Sequence, residues 1–482
     1  MEVQATPGGW RFENTYAALP FALFEETAPV PVRRSGMVVF NHSLAGELGL
    51  DVAALDSPQG VEVFCGNSLP EGSKPIAQAY AGHQFGHFTM LGDGRAILLG
   101  EHLDPGGRRW DVQLKGSGRT RYSRRGDGRA ALGPMLREYI ISEAMHGLGI
   151  PTTRSLAVVT TGEDVHREEM LPGAVLTRIA ASHIRVGTFE YASTLSDTNV
   201  LPALLQHTIG RHFPECAEAD VPARAFLEAA CRSQASLIAR WFAVGFIHGV
   251  MNTDNMALSG ETIDYGPCAF MDAYDPETVF SSIDRHGRYA FAQQPLIAHW
   301  NLARLAEALV PLLGSQEEKA VEIAHEALAV YPTAFKQAWL EAMGAKIGLF
   351  DPMADDVPLI EDLLEWMWQT KADFTNTFRH LDPEQSIGGP VGWRERWHER
   401  LARQSQSPAE AHRLMQRSNP AVIPRNHNVE EALEAAVSRN DHTPLRRLLD
   451  AIARPYENRA LDADLLASAP PSADPYRTFC GT

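Results

Sequence analysis

The feature that most constrains the fold is a change of pattern along the chain close to residue 190. Before it, residues 80–190 are rich in glycine and in short β-type runs that are bounded by Gly-Asp-Gly and Pro-Gly-Gly turn signals. Such runs predict the strands of an antiparallel sheet. The clearest of them lie at residues 95–99, 110–114 and 173–177.

One helix is predicted inside this sheet-rich half. Pro134 suits the first helical position, apolar residues recur after it, and Gly147 and Gly149 can end the helix. From about residue 195 the apolar pattern becomes helical. The helical patterns cover residues 223–246, 296–313, 316–346, 357–380 and 429–453.

A sheet-rich half followed by a helix-rich half predicts an α+β protein with two lobes. We expect an N-lobe with glycine-rich nucleotide-binding loops at residues 1–188 and a helical C-lobe with the catalytic loop at 189–453. Residues 454–482 contain Pro-Pro-Ser and Asp-Pro and are expected to form a loosely ordered C-terminal tail with Cys480.

Composition excludes several classes of function. The chain has 482 residues, 43 Lys plus Arg against 60 Asp plus Glu, and a formal charge of −17. This balance argues against a nucleic-acid or anionic-membrane partner, so a phosphate site has to be a local basic pocket. No apolar stretch predicts a membrane span, and the first residues resemble neither a signal peptide nor a transit peptide. We therefore expect a cytoplasmic protein.

The strongest chemical signal is the segment at residues 246–255, which follows a long predicted helix and precedes Asp264-Tyr265-Gly266. Kinase-type enzymes place a His-x-Asp-x-x-x-x-Asn loop after such a helix and an Asp-aromatic-Gly segment next. The Asn and the second Asp then hold magnesium against the phosphates of ATP. His248 and Asn255 keep this spacing. Asn255 and Asp264 are therefore the predicted metal ligands.

The position of the usual catalytic aspartate is occupied by Val250. A carboxylate returns at Asp254, which is the candidate general base from a shifted position. The alternative is an Asx-rich turn formed by Asn252, Asp254 and Asn255, because such clusters are frequent in loops.

Lys115 ends an apolar β-type run and is the candidate for contacting nucleotide phosphates. Glu138 lies in the predicted helix on a flank with Ile141, so it is placed to be half-buried and to pair with Lys115. Glu143 is the second candidate for that pairing, and a solvated helix face is the alternative for both glutamates.

Glycine-rich segments surround Lys115. Two Gly-Asp-Gly-Arg sequences flank it, and glycine allows backbone N–H groups to approach phosphate closely. Arg178 and Arg185 are seven residues apart, which in a helix would put both on one side, and they are candidates for additional phosphate contacts. His83 and His87 have i, i+4 spacing, but Gly86 interrupts a helix there, so a structural turn is favoured over a metal site. The two loops are residues 92–95 and 126–129.

Together these segments resemble the selenoprotein O family of protein adenylyltransferases, over nearly the whole chain. The resemblance is carried by several long runs. These are the residues at 80–86, 114–118, 248–256, 264–267 and 419–427.

The resemblance implies a protein-kinase-like fold in which ATP lies inverted, so that its α-phosphate faces a Ser, Thr or Tyr hydroxyl of a target protein. It implies Lys115 and Glu138 as an ion pair and Asp254 as the proton acceptor. Asn255 and Asp264 would hold Mg²⁺ or Mn²⁺. The remaining nucleotide contacts would come from Gly92, Gly94, Arg95, Asp127, Gly128, Arg178 and Arg185.

The same resemblance implies a redox residue near the C-terminus, here Cys480, and a link to redox stress with redox proteins among the candidate targets. In some bacterial members this residue forms a disulfide with the segment after the Asp-aromatic-Gly motif. This sequence has Phe280-Ser281-Ser282 there, and Cys268 is the nearest cysteine. A conventional protein kinase and a non-catalytic nucleotide-binding pseudokinase are the alternative functions.

Overall fold

The computed structural model describes residues 8–382, 389–459, 463–469 and 476–479. Within these ranges the strands form one large antiparallel sheet and two small hairpin-like sheets. The strands are β1 (Phe12–Glu13), β2 (Phe24–Glu26), β3 (Gly36–Phe40), β4 (Ile76–Gln78), β5 (Ala81–Gln84), β6 (His87–Met90), β7 (Ala96–Leu103), β8 (Arg109–Lys115), β9 (Ala130–Ala131), β10 (Arg154–His166), β11 (Met170–Ala180), β12 (Phe246–Ile247) and β13 (Ala269–Phe270).

The large sheet has the strand order β2-β4-β7-β8-β11-β10-β3, with β1 beside β7 and β9 beside β11. Its pairs are antiparallel, and β8 lies between β7 and β11. At the end of β8, Lys115 pairs with Ala96 on one side and Leu176 on the other. Lys115 is therefore held in the middle of the sheet.

The described ranges also contain sixteen α-helices. They are α1 (His42–Glu47), α2 (Val52–Leu55), α3 (Pro58–Phe64), α4 (Leu132–Gly147), α5 (Val186–Ser193), α6 (Val200–His212), α7 (Pro222–Val244), α8 (Gln294–Leu313), α9 (Glu317–Leu328), α10 (Val330–Lys346), α11 (Val357–Thr370), α12 (Phe374–Arg379), α13 (Trp393–Ala402), α14 (Pro408–Ser418), α15 (Asn426–Arg439) and α16 (Thr443–Ile452).

Both faces of the large sheet are buried, because successive side chains of a strand point to opposite faces. Leu98 and Leu176 pack into the main core with α4 and α7, whereas Leu99 and Val175 pack into a second core with α1 and α3. A third core joins helices α10 to α14. The sheet is thus the central layer, and α4 carries Glu138 across one of its faces.

A mixed fold with an antiparallel sheet followed by helices confirms the broad class predicted from the sequence. The three predicted strands are present, and so is the predicted helix, although it begins at Leu132, two residues before Pro134. The patterns at 316–346, 357–380 and 429–453 are each two helices instead of one. The breaks lie at Ala329, Lys371 and Asn440, and the last two residues have positive φ angles of 53° and 50°.

The described parts of the predicted C-terminal tail pack against the rest of the molecule. Leu465 is buried, and Thr478 forms a parallel bridge with Ser281. Within the described ranges, no helix combines the length and apolar character that crossing a membrane would require.

Candidate active site

Lys115 and Glu138 meet beneath the sheet. Nζ of Lys115 donates hydrogen bonds to Oε2 of Glu138 at 2.6 Å and to Oδ1 of Asp264 at 2.8 Å. The lysine comes from the end of β8 and the glutamate from α4, whose apolar face packs on the sheet. Glu143, the second candidate, instead pairs with Arg154 through bonds of 2.9 and 2.8 Å.

Asp264 is the centre of the cluster. Besides Lys115, its carboxylate accepts bonds from Nη1 of Arg178 at 2.6 Å and Nη1 of Arg185 at 2.9 Å. Burial acts to raise the pKa of Asp264, but the three cations around it hold that pKa well below its usual range. Its backbone has a φ of 61°, in the left-handed region that aspartate tolerates better than most residues. Asp264 is therefore a fixed anion among three cations.

Arg178 and Arg185 converge on Asp264, but not because they share a helix. Arg178 lies in β11 and Arg185 directly precedes α5, so the interpretation of their spacing as helical is wrong. The turn between β11 and α5 brings both guanidinium groups to the same carboxylate.

Arg178 is held by residues that the sequence did not single out. Its Nη2 donates to Oε1 of Gln113 at 2.6 Å, and its Nε donates to Nε2 of His183 at 3.2 Å. Nδ1 of His183 lies 2.9 Å from Oδ2 of Asp111, and burial lowers the pKa of His183 to about 4. A neutral imidazole with its proton on Nδ1 satisfies both contacts.

Asp93 is a further buried carboxylate that sequence reasoning missed. It accepts bonds from the backbone N–H of Gln78 at 3.1 Å and from Nε2 of Gln113 at 3.2 Å, and its Oδ1 lies 3.8 Å from Nη2 of Arg185. Burial raises the pKa of Asp93 to about 6, although Arg185 acts against this. The available signal was its position as the central residue of the first Gly-Asp-Gly. Arg185 also stacks on Tyr80, with Cζ 4.4 Å from the ring centroid.

Asp254 lies beside this cluster and is buried. Its Oδ2 accepts a long bond of 3.4 Å from Nε2 of Gln84, and Oδ1 has no hydrogen-bond partner within the described residues. Burial raises the pKa of Asp254 to about 6, an effect that Arg185 partly offsets. Nη1 of Arg185 also donates to the backbone oxygen of Asp254 at 2.8 Å. A carboxylate with one unpaired oxygen is suited to accept a proton or to bind a cation.

The Asp254 loop is held by the β5–β6 hairpin. The backbone N–H of His83 donates to Oγ1 of Thr253 at 2.7 Å, and that of Phe85 donates to Oδ1 of Asn252 at 3.0 Å. The loop is one turn of 3₁₀ helix at residues 253–255. The predicted Asx-rich turn is therefore present, and it is the same turn that positions Asp254.

Asn255 occupies the end of this turn. Its Nδ2 donates to the backbone oxygen of Val250 at 3.0 Å. The structure records no bond between Asn255 and Asp264 among the described residues. The two predicted metal ligands thus lie on neighbouring segments without direct contact.

The two glycine loops pack against the chain that follows Lys115. A β-carbon on Gly92 would lie 2.3 Å from the ring of Tyr122, and one on Gly128 would lie 2.2 Å from the backbone of Gly118. The backbone oxygen of Arg95 accepts a 2.6 Å bond from the N–H of Gly116. These close approaches require glycine at both positions.

Asp127 lies outside the buried cluster. Its carboxylate is half-exposed and pairs with Arg167 at 2.9 Å. Burial acts to raise the pKa of Asp127, but the bonds from Arg167 and from the backbone N–H of Arg129 lower it overall. Of the predicted residues, the structure brings together Lys115, Glu138, Arg178, Arg185 and Asp264, with Asp254 alongside.

The donor groups suit a metal ion that is held partly by phosphate. No group of three or more His, Cys, Asp or Glu side chains arranged to bind a metal occurs within the described ranges. Mg²⁺ bound with a nucleotide commonly takes only one or two carboxylates, with phosphate oxygens and water completing its shell. One carboxylate, Asp264, together with the side-chain amide oxygen of the neighbouring Asn255, would meet that requirement and would leave the unpaired oxygen of Asp254 free to accept a proton.

His83 and His87 belong to the β5–β6 hairpin, as the turn interpretation predicts, and His83 bonds through Nδ1 to Glu190. Cys480 lies outside the described residues. Two residues before it, the backbone oxygen of Thr478 accepts a 3.0 Å bond from the N–H of Ser282. The C-terminal segment therefore reaches residues 280–282, where the family resemblance implies a partner for Cys480.

A lysine and two arginines around one largely buried carboxylate, at the end of a central strand that glycine-rich loops flank, are typical of enzymes that bind nucleoside triphosphates. The family model described as Protein adenylyltransferase SelO matches residues 10–453. The chain belongs to this family, and it is therefore an enzyme, a protein adenylyltransferase.

Several named relatives are similar in sequence to this chain over nearly its full length. The chain is 58% identical over 491 residues to the protein nucleotidyltransferase YdiU of Halalkalibacterium halodurans, with 100% of both chains covered. It is 57% identical to the protein of the same name from Syntrophotalea carbinolica, with 99% of this chain and 98% of the relative covered. The corresponding protein of Bacillus cytotoxicus is 56% identical, with 98% of each chain covered.

Proposed function

We propose that the cluster around Asp264 binds ATP and that Asp254 accepts the proton of the attacking hydroxyl. The oxygen of a Ser, Thr or Tyr side chain of a target protein attacks the α-phosphorus of ATP. The bond from that phosphorus to the oxygen bridging the β-phosphate breaks, and pyrophosphate leaves. The hydroxyl proton passes to Asp254, and AMP stays on the target protein.

The observation that carries this proposal is the state of Asp254. It is buried, one of its oxygens lacks a partner within the described residues, and its pKa is raised to about 6. A general base works best when its pKa is near the operating pH. Its loop is tied to Arg185, so the base and the cationic cluster are held at a constant separation.

Lys115, Arg178 and Arg185 supply the positive charge for the phosphates. The chain as a whole is acidic, so three convergent cations mark a local anion site. Arg178 and Arg185 offer planar forks of N–H donors that match phosphate oxygens. Gly92, Gly94, Arg95, Asp127 and Gly128 are proposed as further nucleotide contacts from the two loops, with Glu138 positioning Lys115.

Asn255 and Asp264 are proposed to hold the divalent metal, Mg²⁺ or Mn²⁺. When bound, this ion neutralises phosphate charge and polarises the reacting phosphate. The residues of the chain do the remaining work. Arg178 and Arg185 orient Asp264, and the bond from Asn255 to the backbone of Val250 fixes the loop that carries Asp254.

We further propose a protein-kinase-like arrangement of two lobes with the ATP site between them. The N-lobe would comprise residues 1–188, the C-lobe residues 189–453 and the tail residues 454–482. Lys115 on a sheet strand, Glu138 on the adjoining helix and Asp264 after the helical α7 support it. Val250 in place of the usual base argues against transfer of the γ-phosphate.

The test is to incubate the enzyme, a mixture of acceptor proteins and Mg²⁺ or Mn²⁺ with ATP that is labelled on either the α- or the γ-phosphate. We expect protein-bound label from the α-phosphate only, with one AMP per modified side chain by mass spectrometry. Label from the γ-phosphate alone would contradict AMP transfer. Binding of ATP without any transfer under reducing conditions would instead indicate a scaffold.

A further inference from the structure

An aromatic and basic surface lies next to Asp254. It is formed by the β5–β6 hairpin, by the start of α8 and by the segment before that helix. Phe88 and Met90 on β6 are 46% and 50% exposed. We call this the hairpin surface, and it consists of His83, Phe88, Met90, Arg288, Trp300 and Arg304.

The side chains of the hairpin surface form one continuous patch. The ring of His83 lies 5.3 Å from that of Phe88 and 5.4 Å from that of Trp300. The guanidinium carbons of Arg288 and Arg304 both lie 4.9 Å from the centroid of the Trp300 ring. Stacking on an aromatic ring holds a guanidinium in place and leaves its edge available for an anion.

This patch is connected directly to the proposed base. The strand that carries His83 bonds through its backbone to Thr253, and Nε2 of Gln84 contacts Oδ2 of Asp254 at 3.4 Å. A β-carbon on Gly82 would lie only 2.3 Å from Oδ1 of Asp254, so the hairpin lies against the carboxylate. A polypeptide that presents a hydroxyl to Asp254 would therefore have to pass the hairpin.

Arg285 and Arg288 form no ion pair with a carboxylate of the described residues, whereas the buried carboxylate Glu190 beside the patch is already bonded to Nδ1 of His83. The protein has a formal charge of −17, yet Arg288 and Arg304 are joined here by Arg285 and His286, both of which are exposed. The carboxylates nearby are already engaged. Glu307 pairs with Arg304 at 2.6 Å, and Asp284 accepts the backbone N–H groups of Arg288 and Tyr289.

We infer that the hairpin surface docks the acceptor polypeptide and selects targets that carry Asp or Glu close to the modified hydroxyl. This rests on the proposed function of Asp254. The two stacked arginines would contact the acidic side chains, while Phe88 and Met90 would contact apolar residues of the target. Complementary charges of this kind guide the approach of the target polypeptide and fix its alignment on the enzyme, and they add less to the binding affinity.

The test uses fluorescent peptides of one length with a single central serine, flanked by Glu in the acidic peptide, Gln in the neutral one and Lys in the basic one. Binding is measured by anisotropy at low and high salt, and AMP incorporation from ATP by mass spectrometry. The wild type is expected to bind the acidic peptide about fivefold to tenfold more tightly than the neutral one at low salt, which is the size of one or two exposed ion pairs. The preference should shrink at high salt.

The double variant Arg288→Gln with Arg304→Gln is expected to lose this preference, and the variant with Glu at both positions is expected to prefer the basic peptide. ATP binding, measured by thermal shift, should be unchanged in both. Arg403→Gln is the matched control, because Arg403 is an exposed arginine directly after α13 with a contact of 3.9 Å to Glu399.

The inference is overturned if the wild type binds acidic and neutral peptides equally, if it binds neither at low salt, or if Arg403→Gln lowers the preference as much as the double variant. One further outcome tests the proposed reaction and not the docking surface. An acidic peptide that binds with the expected preference while no peptide or protein gains AMP would refute the proposed function and leave the docking surface supported.

Discussion

Nη1 of Arg178 lies 2.6 Å from Oδ1 of Asp264, and the same guanidinium nitrogen lies 3.3 Å from Oε1 of Glu138. One strand residue thereby joins the helix α4 to the loop that carries the proposed metal ligand. Arg178 and Glu138 are buried, and the side chain of Asp264 is only 19% exposed, so the loss of any partner leaves a poorly solvated charge uncompensated.

Asp264→Asn is expected to abolish AMP transfer and metal-dependent nucleotide binding, because it removes a carboxylate oxygen from the proposed metal site. It also leaves three cations without their common anion, so the free energy of unfolding should fall by about 3 kcal/mol. Calorimetric titration with ATP and urea denaturation measure the two effects. Asp362→Asn is the control, as its exposed pair with Arg396 should contribute less than about 1 kcal/mol. Undiminished transfer in Asp264→Asn would refute the assigned site.

The rate of AMP transfer is expected to depend on the ionisation of Asp254. Its pKa is raised to about 6, so kcat/KM should rise about tenfold per pH unit below pH 6 and level off above it. Asp254→Asn should be nearly inactive, and any residual activity should not show the rise of kcat/KM with pH below pH 6. A pH profile of the wild type without a limb near pH 6 would contradict the role of Asp254 as base.

The same pKa predicts an effect on stability. A carboxyl group whose pKa is raised on folding stabilises the folded protein most at pH values below its unfolded pKa, here 3.8. This contribution to the free energy of unfolding is lost as the pH rises through the folded pKa of about 6. At pH 7 Asp254→Asn should therefore be more stable than the wild type, by about 1–3 kcal/mol. The pKa values of Asp93 and Glu261 are also raised, to about 6 and about 7, so these groups change the stability of both proteins over the same pH range. The quantity to compare is therefore the difference in the free energy of unfolding between variant and wild type. The prediction is wrong if the difference in the free energy of unfolding between variant and wild type is the same at pH 5 and pH 7.

Gly82→Ala is expected to reduce AMP transfer by at least tenfold while ATP binding is retained. The added methyl group would lie 2.3 Å from Oδ1 of Asp254 and has to displace either the hairpin or the proposed base. Gly210→Ala is the matched control. Gly210 lies in α6 with no atom within 4 Å of an added β-carbon, so this change should leave activity intact and stabilise the protein by up to about 1 kcal/mol. Equal activity in the two variants would show that the hairpin can move freely.

The variant Asp127→Ala tests whether Asp127 contacts the nucleotide or only forms a surface ion pair with Arg167. The half-exposed pair with Arg167 should contribute less than about 1 kcal/mol to the free energy of unfolding. If Asp127 contacts the nucleotide as proposed, KM for ATP should rise at least threefold in Asp127→Ala and stay constant in Arg167→Ala. Equal KM values in both variants and the wild type would remove Asp127 from the nucleotide site.

Local pattern was sufficient for the elements that carry the site. The strand that ends in Lys115 and the existence of the helix that contains Pro134 are predicted from the sequence, because strand and helix periodicity are properties of neighbouring residues. The same local reasoning read residues 316–346 as one helix. The break at Ala329 has no signal at that residue, because it keeps right-handed backbone angles, with φ of −61° and ψ of −13°, and is not a glycine or a proline.

The sequence by itself determined the broad class, the family and the identity of Lys115, Glu138, Asp254 and Asp264 as candidate chemistry. Only the tertiary structure decided how Arg178 and Arg185 meet, since a strand and a turn bring them together instead of one helix. It also decided that Asp93, Gln113 and His183 support them. These contacts join segments far apart in the chain, and their geometry follows from how the sheet packs on the helices, which no local pattern encodes.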